Sequence, residues 1–333
     1  MVGNKSLHAA NRAKQDEFYT QLSDIEKELK HYRKHFRGKT VYCNCDDPTI
    51  SNFFRYFHLN FAKLGLKRLI TTCYKNRQTE MFSKHDMEAA AGLEYVGNGT
   101  EPTIFQIKED GDFRSRECIE LLKQADIVVT NPPFSLFREY IAQLVEYGKK
   151  FLVIGNKNAI TYKEIFPLIK GDKLWVGHTP MSQDLLFDVP EDYAQELLKT
   201  KKKGSAYKIV DGIVKGRSES IWFTNLDHRK RHEDLILYKK YSPDEYPKYD
   251  NYNAINVNKT DHIPVDYAGE MGVPISFLDK HNPDQFDIVG FDYEIKQGLL
   301  PELVDKNWAG KLDRGYINGK RIYARIFIRN KRI

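Results

Sequence analysis

Short apolar runs that alternate with helical stretches predict an α/β fold built on a mainly parallel sheet. Three observations carry that prediction. The first apolar run, Thr40–Cys45, is short enough to be a strand.

 The same holds for Arg68–Cys73, Thr103–Ile107, Asp126–Thr130, Phe151–Ile154, Lys173–Val176 and Glu219–Phe223. Most of these runs are separated by stretches of helical periodicity, the signature of βαβ units with helices on both faces of the sheet. Third, the chemically suggestive residues follow the runs directly, and in open α/β sheets ligands bind outside the carboxyl ends of the strands.

In chain order, the first element is a helix. Phe18, Leu22, Ile25, Leu29, Tyr32 and Phe36 recur at three-to-four spacing, which predicts an amphipathic helix from near Ser23 to just before Gly38. The strand and helix alternation then runs to about residue 240. Beyond it, YSPDEYPKYDNYNAINVN is rich in Tyr, Asn, Asp and Pro and lacks helical periodicity, so a boundary is expected there, dividing 1–240 from 241–333. The second region mixes Gly and Pro with strand-like runs at Asp287–Phe291 and Arg321–Ile328.

Bulk properties narrow the class. The chain has 333 residues, room for one large core and a smaller one. With 41% apolar and 29% charged residues, a mean hydropathy of -0.59 and no long apolar run, a membrane span is not expected. The segment MVGNKSLHAANRAKQDEFY lacks the apolar core of a secretory signal, so a cytoplasmic location is expected. Cys43, Cys45, Cys73 and Cys118 show no paired spacing and no nearby histidine cluster, which argues against a metal site and a disulfide framework. A net charge of +6 suits a polyanionic partner. The basic residues cluster at Lys199 and Lys201–Lys203, at His228–His232 with Arg229 and Arg231, and from Lys320 to Arg332. Each cluster reads equally well as a solvated face or as a set of phosphate contacts.

The strongest chemical signal is Asn131-Pro132-Pro133-Phe134, between the apolar run ending at Thr130 and the helical stretch from Leu136. Two prolines remove two backbone donors and fix φ, so the Pro132 carbonyl and the Asn131 amide oxygen are two rigid acceptors. Such a pair suits the two hydrogens of an exocyclic amino group. An adenine N6 held this way has its lone pair aimed at an electrophilic methyl, which is catalysis by positioning and electrostatics. Phe134 adds a flat face for stacking an extruded base, worth roughly 1–3 kcal/mol. The bland alternative is a proline turn. Asp46-Asp47-Pro48 followed by Ser51-Asn52-Phe53 suits a methionine moiety, with acids for its ammonium and a helix start for its carboxylate, and equally suits ordinary capping. Asp112 and Phe113 suit an adenine ring or an acidic turn; Tyr19-Thr20 suit a carboxylate or a helix cap.

Together, Asp16 to Thr20, Tyr42 to Pro48, Ser51 to Phe54, Asn131 to Phe134, Gly272 to Lys280 and Gln285-Phe286 resemble the adenine-specific DNA methyltransferases, most closely the EcoRI-type modification methylases, over nearly the whole chain. The resemblance implies a Rossmann-like class I methyltransferase core with a mainly parallel seven-stranded sheet and a smaller C-terminal DNA-recognition region. It implies S-adenosylmethionine as donor, S-adenosylhomocysteine as product, no metal, and an adenine flipped out of double-stranded DNA as acceptor. It further implies a bacterial or phage-borne restriction-modification setting, with a cognate endonuclease as possible partner. By position, Thr20, Asp46 and Asp47, with Tyr19, Pro48, Ser51, Asn52 and Phe53 beside them, would hold the methionine part, and Asp112 and Phe113 the adenine part. Asn131, Pro132, Pro133 and Phe134 would hold the target base, and Lys201, Lys202, Lys203, Arg229 and Arg231 the DNA. One departure is the second strand's end, Thr71-Thr72-Cys73-Tyr74-Lys75, which lacks the acid expected for the ribose. An RNA or protein-glutamine methyltransferase, or a binding protein that has lost catalysis, remains the alternative; the size of 241–333 favours a DNA enzyme.

Overall fold

A computed structural model describes residues 19–45, 51–74, 90–97, 99, 101–183, 185–189, 191–200, 202–204 and 206–333. The chain is mixed α/β and forms two compact units. One comprises residues up to Ala159 together with Gly177–Leu226; the other comprises Ile160–Val176 and Asp227–Ile333. The sequence expectation placed the division near residue 240. The tyrosine-rich stretch beyond it is instead interior to the second unit, where Tyr246, Tyr249 and Tyr252 are all buried.

In the first unit, seven strands lie side by side. In chain order they are β1 (Thr40–Asn44), β2 (Arg68–Thr72), β3 (Ala91–Tyr95), β4 (Thr103–Gln106), β5 (Ile127–Thr130), β6 (Lys150–Asn156) and β7 (Ser220–Thr224). Their spatial order is β4-β3-β2-β1-β5-β6-β7. The pairs β2-β1, β1-β5 and β5-β6 are parallel, whereas β2-β3, β3-β4 and β6-β7 are antiparallel. The sheet is therefore mixed around a parallel block of four. Every residue of β1, β5 and β7 is buried, as strands covered on both faces require. From β1 the chain steps to β2 on one side, and from β5 to β6 on the other, so the strand order reverses between β1 and β5. That reversal is where open α/β sheets leave a crevice.

The first helix is shorter than its periodicity predicts: Leu22–Leu29, then a turn, then Arg33–Phe36. The break comes where His31 and Tyr32 donate their backbone N–H groups to Glu28 and Leu29, three residues back, which tightens the turn and ends the regular helix. Ile25, Leu29, Tyr32 and Phe36 still face the core as expected, beside Phe53 and Phe57 of the helix Asn52–Leu59. A smaller antiparallel sheet, in the order Tyr19–Thr20, Leu185–Asp188, Ile213–Ser218, Tyr207–Val210, completes the unit.

The second unit has a four-stranded sheet in the order Ala254–Asn256, Glu270–Val273, Ile326–Asn330, Phe286–Phe291. Tyr249, Tyr252, Ile295, Leu303 and Phe327 pack in its core. Asp292, which opens the helix Asp292–Lys296, is buried there, and its Oδ2 accepts the Arg325 N–H at 2.8 Å. Burial pushes its carboxyl up to about 6. A folded value above the unfolded one means that the native state holds the proton more tightly. The contribution of this group is then full below about pH 4 and lost as pH rises through the folded value. Asp292→Asn is expected to flatten stability against pH across that window. Denaturation midpoints at pH 4.5 and 7 check this, and a slope equal to that of the parent protein would count against it.

Candidate functional site

The carboxyl ends of β1 and β5 adjoin at the reversal point, in a register that pairs Val41 with Ile127 and Tyr42 with Val128. Asn44 closes β1 and Thr130 closes β5. The Thr130 hydroxyl donates to the Asn44 carbonyl, and on the other side the Thr71 hydroxyl donates to the Cys43 carbonyl at 2.8 Å. The end of β1 is thus held by both neighbours. Cys45 then turns the chain off the sheet with φ of +65°, a left-handed conformation that costs a non-glycine residue of order 1 kcal/mol or more and tends to occur at functional turns.

Beside this turn, Asn131-Pro132-Pro133 leads from β5 into the short 3-10 turn Phe134–Leu136 and the helix Phe137–Glu146. The turn closes through the Leu136 N–H and the Pro133 carbonyl at 3.0 Å. Pro132 is buried, while Asn131, Pro133 and Phe134 are half-buried. The Asn131 side-chain oxygen is shielded from solvent, and Phe134 leans on the main hydrophobic core.

Tyr140, on the helix after the tetrad, donates its hydroxyl to Asn44 Oδ1, and its ring meets Phe113 edge-on with centroids 5.0 Å apart. Gln143, one turn on, donates Nε2 to the Phe113 carbonyl at 3.2 Å. Three segments singled out in the sequence, around Asn44, Asp112-Phe113 and Asn131–Phe134, therefore converge through Asn44, Tyr140 and Gln143. Sequence reasoning assigned none of these three a role. Asn44 lay inside a quoted motif, and Tyr140 had only its place on an apolar helix face to mark it.

The turn at Gly111 is packed against the end of β2. A Cβ there would lie 2.0 Å from the Cys73 carbonyl oxygen, and φ is +78°, so only glycine permits the approach. Asp112 is clasped by Arg114, whose Nε and Nη2 donate to its two carboxylate oxygens at 2.9 and 2.8 Å. Burial would raise the Asp112 carboxyl, but the Arg114 hydrogen bonds and charge outweigh it and hold the group below its ordinary value. Asp112 is thereby kept as an ionised acceptor. The Phe113 ring is almost wholly buried, against Tyr140 and under the Arg114 guanidinium.

Thr20 lies beside the start of the helix Asn52–Leu59, with Asn52 Nδ2 donating to the Thr20 carbonyl at 2.8 Å. The backbone of Tyr19 pairs with Asp188 in the small sheet. Thr20 is 4% exposed, and its Oγ1 has no hydrogen-bond partner among the described residues. A buried hydroxyl in that state costs about 1–3 kcal/mol unless a ligand satisfies it. Ser51 is an N-cap, its hydroxyl accepting from the N–H groups of Phe53 and Phe54 at 3.2 Å. Phe53 is a buried residue of the main core, its ring edge-on to Trp222 with centroids 6.0 Å apart. Asp46, Asp47 and Pro48 lie outside the described residues, as does Lys201.

Among the basic candidates, Lys202 and Lys203 are exposed, and so is Arg229, which pairs with Glu233 at 3.5 Å. Arg231 is placed differently from these three. Its guanidinium is buried over the Trp175 ring, 3.7 Å from the centroid, and bonded to Asp172, so its charge is engaged inside the protein. Among the described residues, no helix is long and apolar enough to cross a membrane.

A family model described as adenine-specific methyltransferase EcoRI matches residues 6–331. The type II methyltransferase M.EcoRI of Escherichia coli is 48% identical over 338 residues, covering 99% of this chain and 98% of its own length. Type II methyltransferase M.MgeORF184P of Mycoplasma genitalium is 40% identical, over 98% of this chain and 99% of its own. Type II methyltransferase M.MpnI of Mycoplasma pneumoniae is 37% identical, over 98% of both. No solved structure matches the chain.

Proposed function

The chain belongs to the EcoRI family of adenine-specific methyltransferases, and from that premise we propose that it methylates N6 of an adenine turned out of double-stranded DNA, with S-adenosylmethionine as donor. The observation that carries the reading is the position of Asn131–Phe134 at the end of β5, beside the end of β1, at the point where the strand order reverses. In this reading the parallel block β2-β1-β5-β6 is the centre of a Rossmann-like class I core. Asp227–Ile333 carries target recognition, the enzyme works in the cytoplasm, and its physiological partner is an endonuclease cutting the same site.

The residues present fit the donor. The buried, unsatisfied Thr20 hydroxyl is a donor for a carboxylate, with Asn52 holding the Thr20 backbone in place. Asp46 and Asp47 suit the ammonium, and the ionised Asp112 suits an adenine amino group. Bound S-adenosylmethionine supplies an electrophilic sulfonium methyl. Asn131 Oδ1 and the Pro132 carbonyl accept the two hydrogens of the target amino group and turn its lone pair outward, while Phe134 stacks on the ring. A proton leaves N6 after transfer, and no strong base is needed because the methylated ammonium is acidic.

Incubation of the protein with S-adenosylmethionine and duplex DNA, followed by sequencing of modified bases, is expected to show N6-methyladenine in one sequence context. Methylation confined to tRNA, rRNA or a release-factor peptide would overturn the reading. The donor site has its own test. Thr20→Val removes the unsatisfied hydroxyl, so thermal stability should hold or rise slightly while affinity for S-adenosylhomocysteine falls about tenfold, or roughly 1.4 kcal/mol. Calorimetric titration and melting report the two effects separately. Unchanged affinity would remove Thr20 from the site.

A further inference from the structure

Backbone pairing between β1 and β5 runs as far as Tyr42 and Val128, two residues short of Asn44 and Thr130, where the strands end. Past that point the chain leaves the sheet, β1 through the left-handed Cys45 and β5 into Asn131–Phe134. Two side-chain bonds bridge the strand ends instead, and both land on Asn44. The Thr130 hydroxyl donates to its carbonyl and the Tyr140 hydroxyl to its Oδ1. Tyr140 stands in the first turn of the helix Phe137–Glu146, which follows the tetrad, and its ring meets Phe113 edge-on with centroids 5.0 Å apart.

Tyr140 therefore connects both sides of the proposed reaction. By the assignments above, the end of β1 and Phe113 belong to the donor, and the tetrad that leads into the Tyr140 helix belongs to the target base. Asn44 is 1% exposed and Tyr140 is fully buried. Two polar groups at that depth are costly unless paired, and an apolar pair of the same shape would stabilise the fold as well or better. What the polar pair adds is direction. A hydrogen bond to a planar amide oxygen fixes distance and angle, which contact between hydrocarbon surfaces does not. Direction matters where two reactants must meet in line, because a misplacement of about 1 Å costs on the order of a hundredfold in rate.

We propose that Tyr140 is a positioning residue for methyl transfer: its hydrogen bond to Asn44 holds the helix behind the base-binding tetrad in register with the end of β1, so that the target N6 and the sulfonium methyl meet in line. Buried as it is, Tyr140 acts through Asn44 and not on either reactant. The bond spans the gap that the sheet leaves at the strand reversal, so the crevice keeps a fixed width where backbone pairing no longer sets one. The proposal rests on the reading of this chain as an adenine-N6 DNA methyltransferase with Asn131–Phe134 at the base.

The test uses the full-length protein, S-adenosylmethionine and duplex oligonucleotides carrying its methylation site. Tyr140→Phe keeps the ring and its contact with Phe113 and removes only the hydroxyl. Its single-turnover rate at saturating donor and DNA is expected to fall about thirtyfold, while affinities for S-adenosylhomocysteine and DNA stay within about threefold of the parent. The fluorescence rise of 2-aminopurine at the target position should persist, because the base still leaves the helix and only its alignment with the donor suffers. The stoichiometry of S-adenosylhomocysteine binding counts the folded sites, so a partly unfolded preparation does not distort the rate. Asn44→Ala removes the acceptor from the other side. Combined with Tyr140→Phe it should be no slower than the slower single variant, since both changes break one bond. Ile141→Val, which trims a buried neighbour on the same helix, is the control for general loosening, and its rate should stay within about threefold of the parent. A Tyr140→Phe rate equal to that of the parent overturns the proposal. So does a loss matched by donor affinity or by fluorescence, a pair of losses that multiply in the double variant, or an equal loss in Ile141→Val. Absence of N6-methyladenine with the parent protein would instead remove the underlying reading, which keeps the two failures apart.

Discussion

Asn131→Ala is expected to lower single-turnover methyl transfer at least a hundredfold while leaving donor affinity and folding close to those of the parent. The amide stands at the end of β5, next to the turn off β1, and its side-chain oxygen is shielded from solvent. In the proposed mechanism that oxygen is one of only two acceptors for the target amino group, and the second, the Pro132 carbonyl, belongs to a backbone that the substitution leaves alone. Removing one preorganised group from a site of this kind costs about 10²–10³ in rate. The half-buried position of Asn131 limits the effect on stability to about 1 kcal/mol. S-adenosylhomocysteine titration and rapid-quench methylation measure the two quantities independently. Turnover within threefold of the parent would reduce the tetrad to a proline turn. A fall explained by lost donor binding would move Asn131 into the donor site.

The legible parts of the molecule are those where one short stretch sets both the backbone and the chemistry. Asn131-Pro132-Pro133-Phe134 was readable because two prolines after a buried run fix a strand end whatever surrounds it. Six of the seven strands expected from apolar runs correspond to strands of the first unit, and the run near Trp175–Val176 corresponds to a two-residue strand of the second. What the sequence hid depends on distant partners. Ala91–Tyr95 is a strand because it pairs antiparallel with β2 and β4, although its own run, AGLEY, is weakly apolar. The surroundings of Arg231 and Phe53 are likewise set by residues far off in the chain, Trp175 and Asp172 for the one and Trp222 for the other. Asn44 and Tyr140 are 96 positions apart, so no local pattern announces their bond.

Glu28→Ala should be the most destabilising single change in the first unit, by about 3–5 kcal/mol. Glu28 is fully buried on the helix that follows Thr20, and its carboxylate gathers four donors. Oε1 accepts from the His178 N–H at 2.6 Å and the Tyr32 hydroxyl at 2.8 Å, while Oε2 accepts from the Thr179 N–H at 2.7 Å and the Thr179 hydroxyl at 2.5 Å. Truncation leaves those donors without an acceptor, and each buried one costs about 1–3 kcal/mol, less where water reaches the half-buried His178 and Thr179. The magnitude matches that of breaking a buried charged contact from one side. Glu28→Gln retains one oxygen but turns an amino group toward donors, so it should lose about half as much. Urea denaturation reads this as a lower midpoint at constant slope. The consequence reaches the site as well: the segment from Gly177 leads to the strand Leu185–Asp188, which pairs with Tyr19–Thr20. Loosening it should weaken S-adenosylhomocysteine binding before it affects DNA binding. A Glu28→Ala midpoint within about 1 kcal/mol of the parent would show that the Gly177–Thr179 segment is held by other means, and that Thr20 is positioned by Asn52 alone.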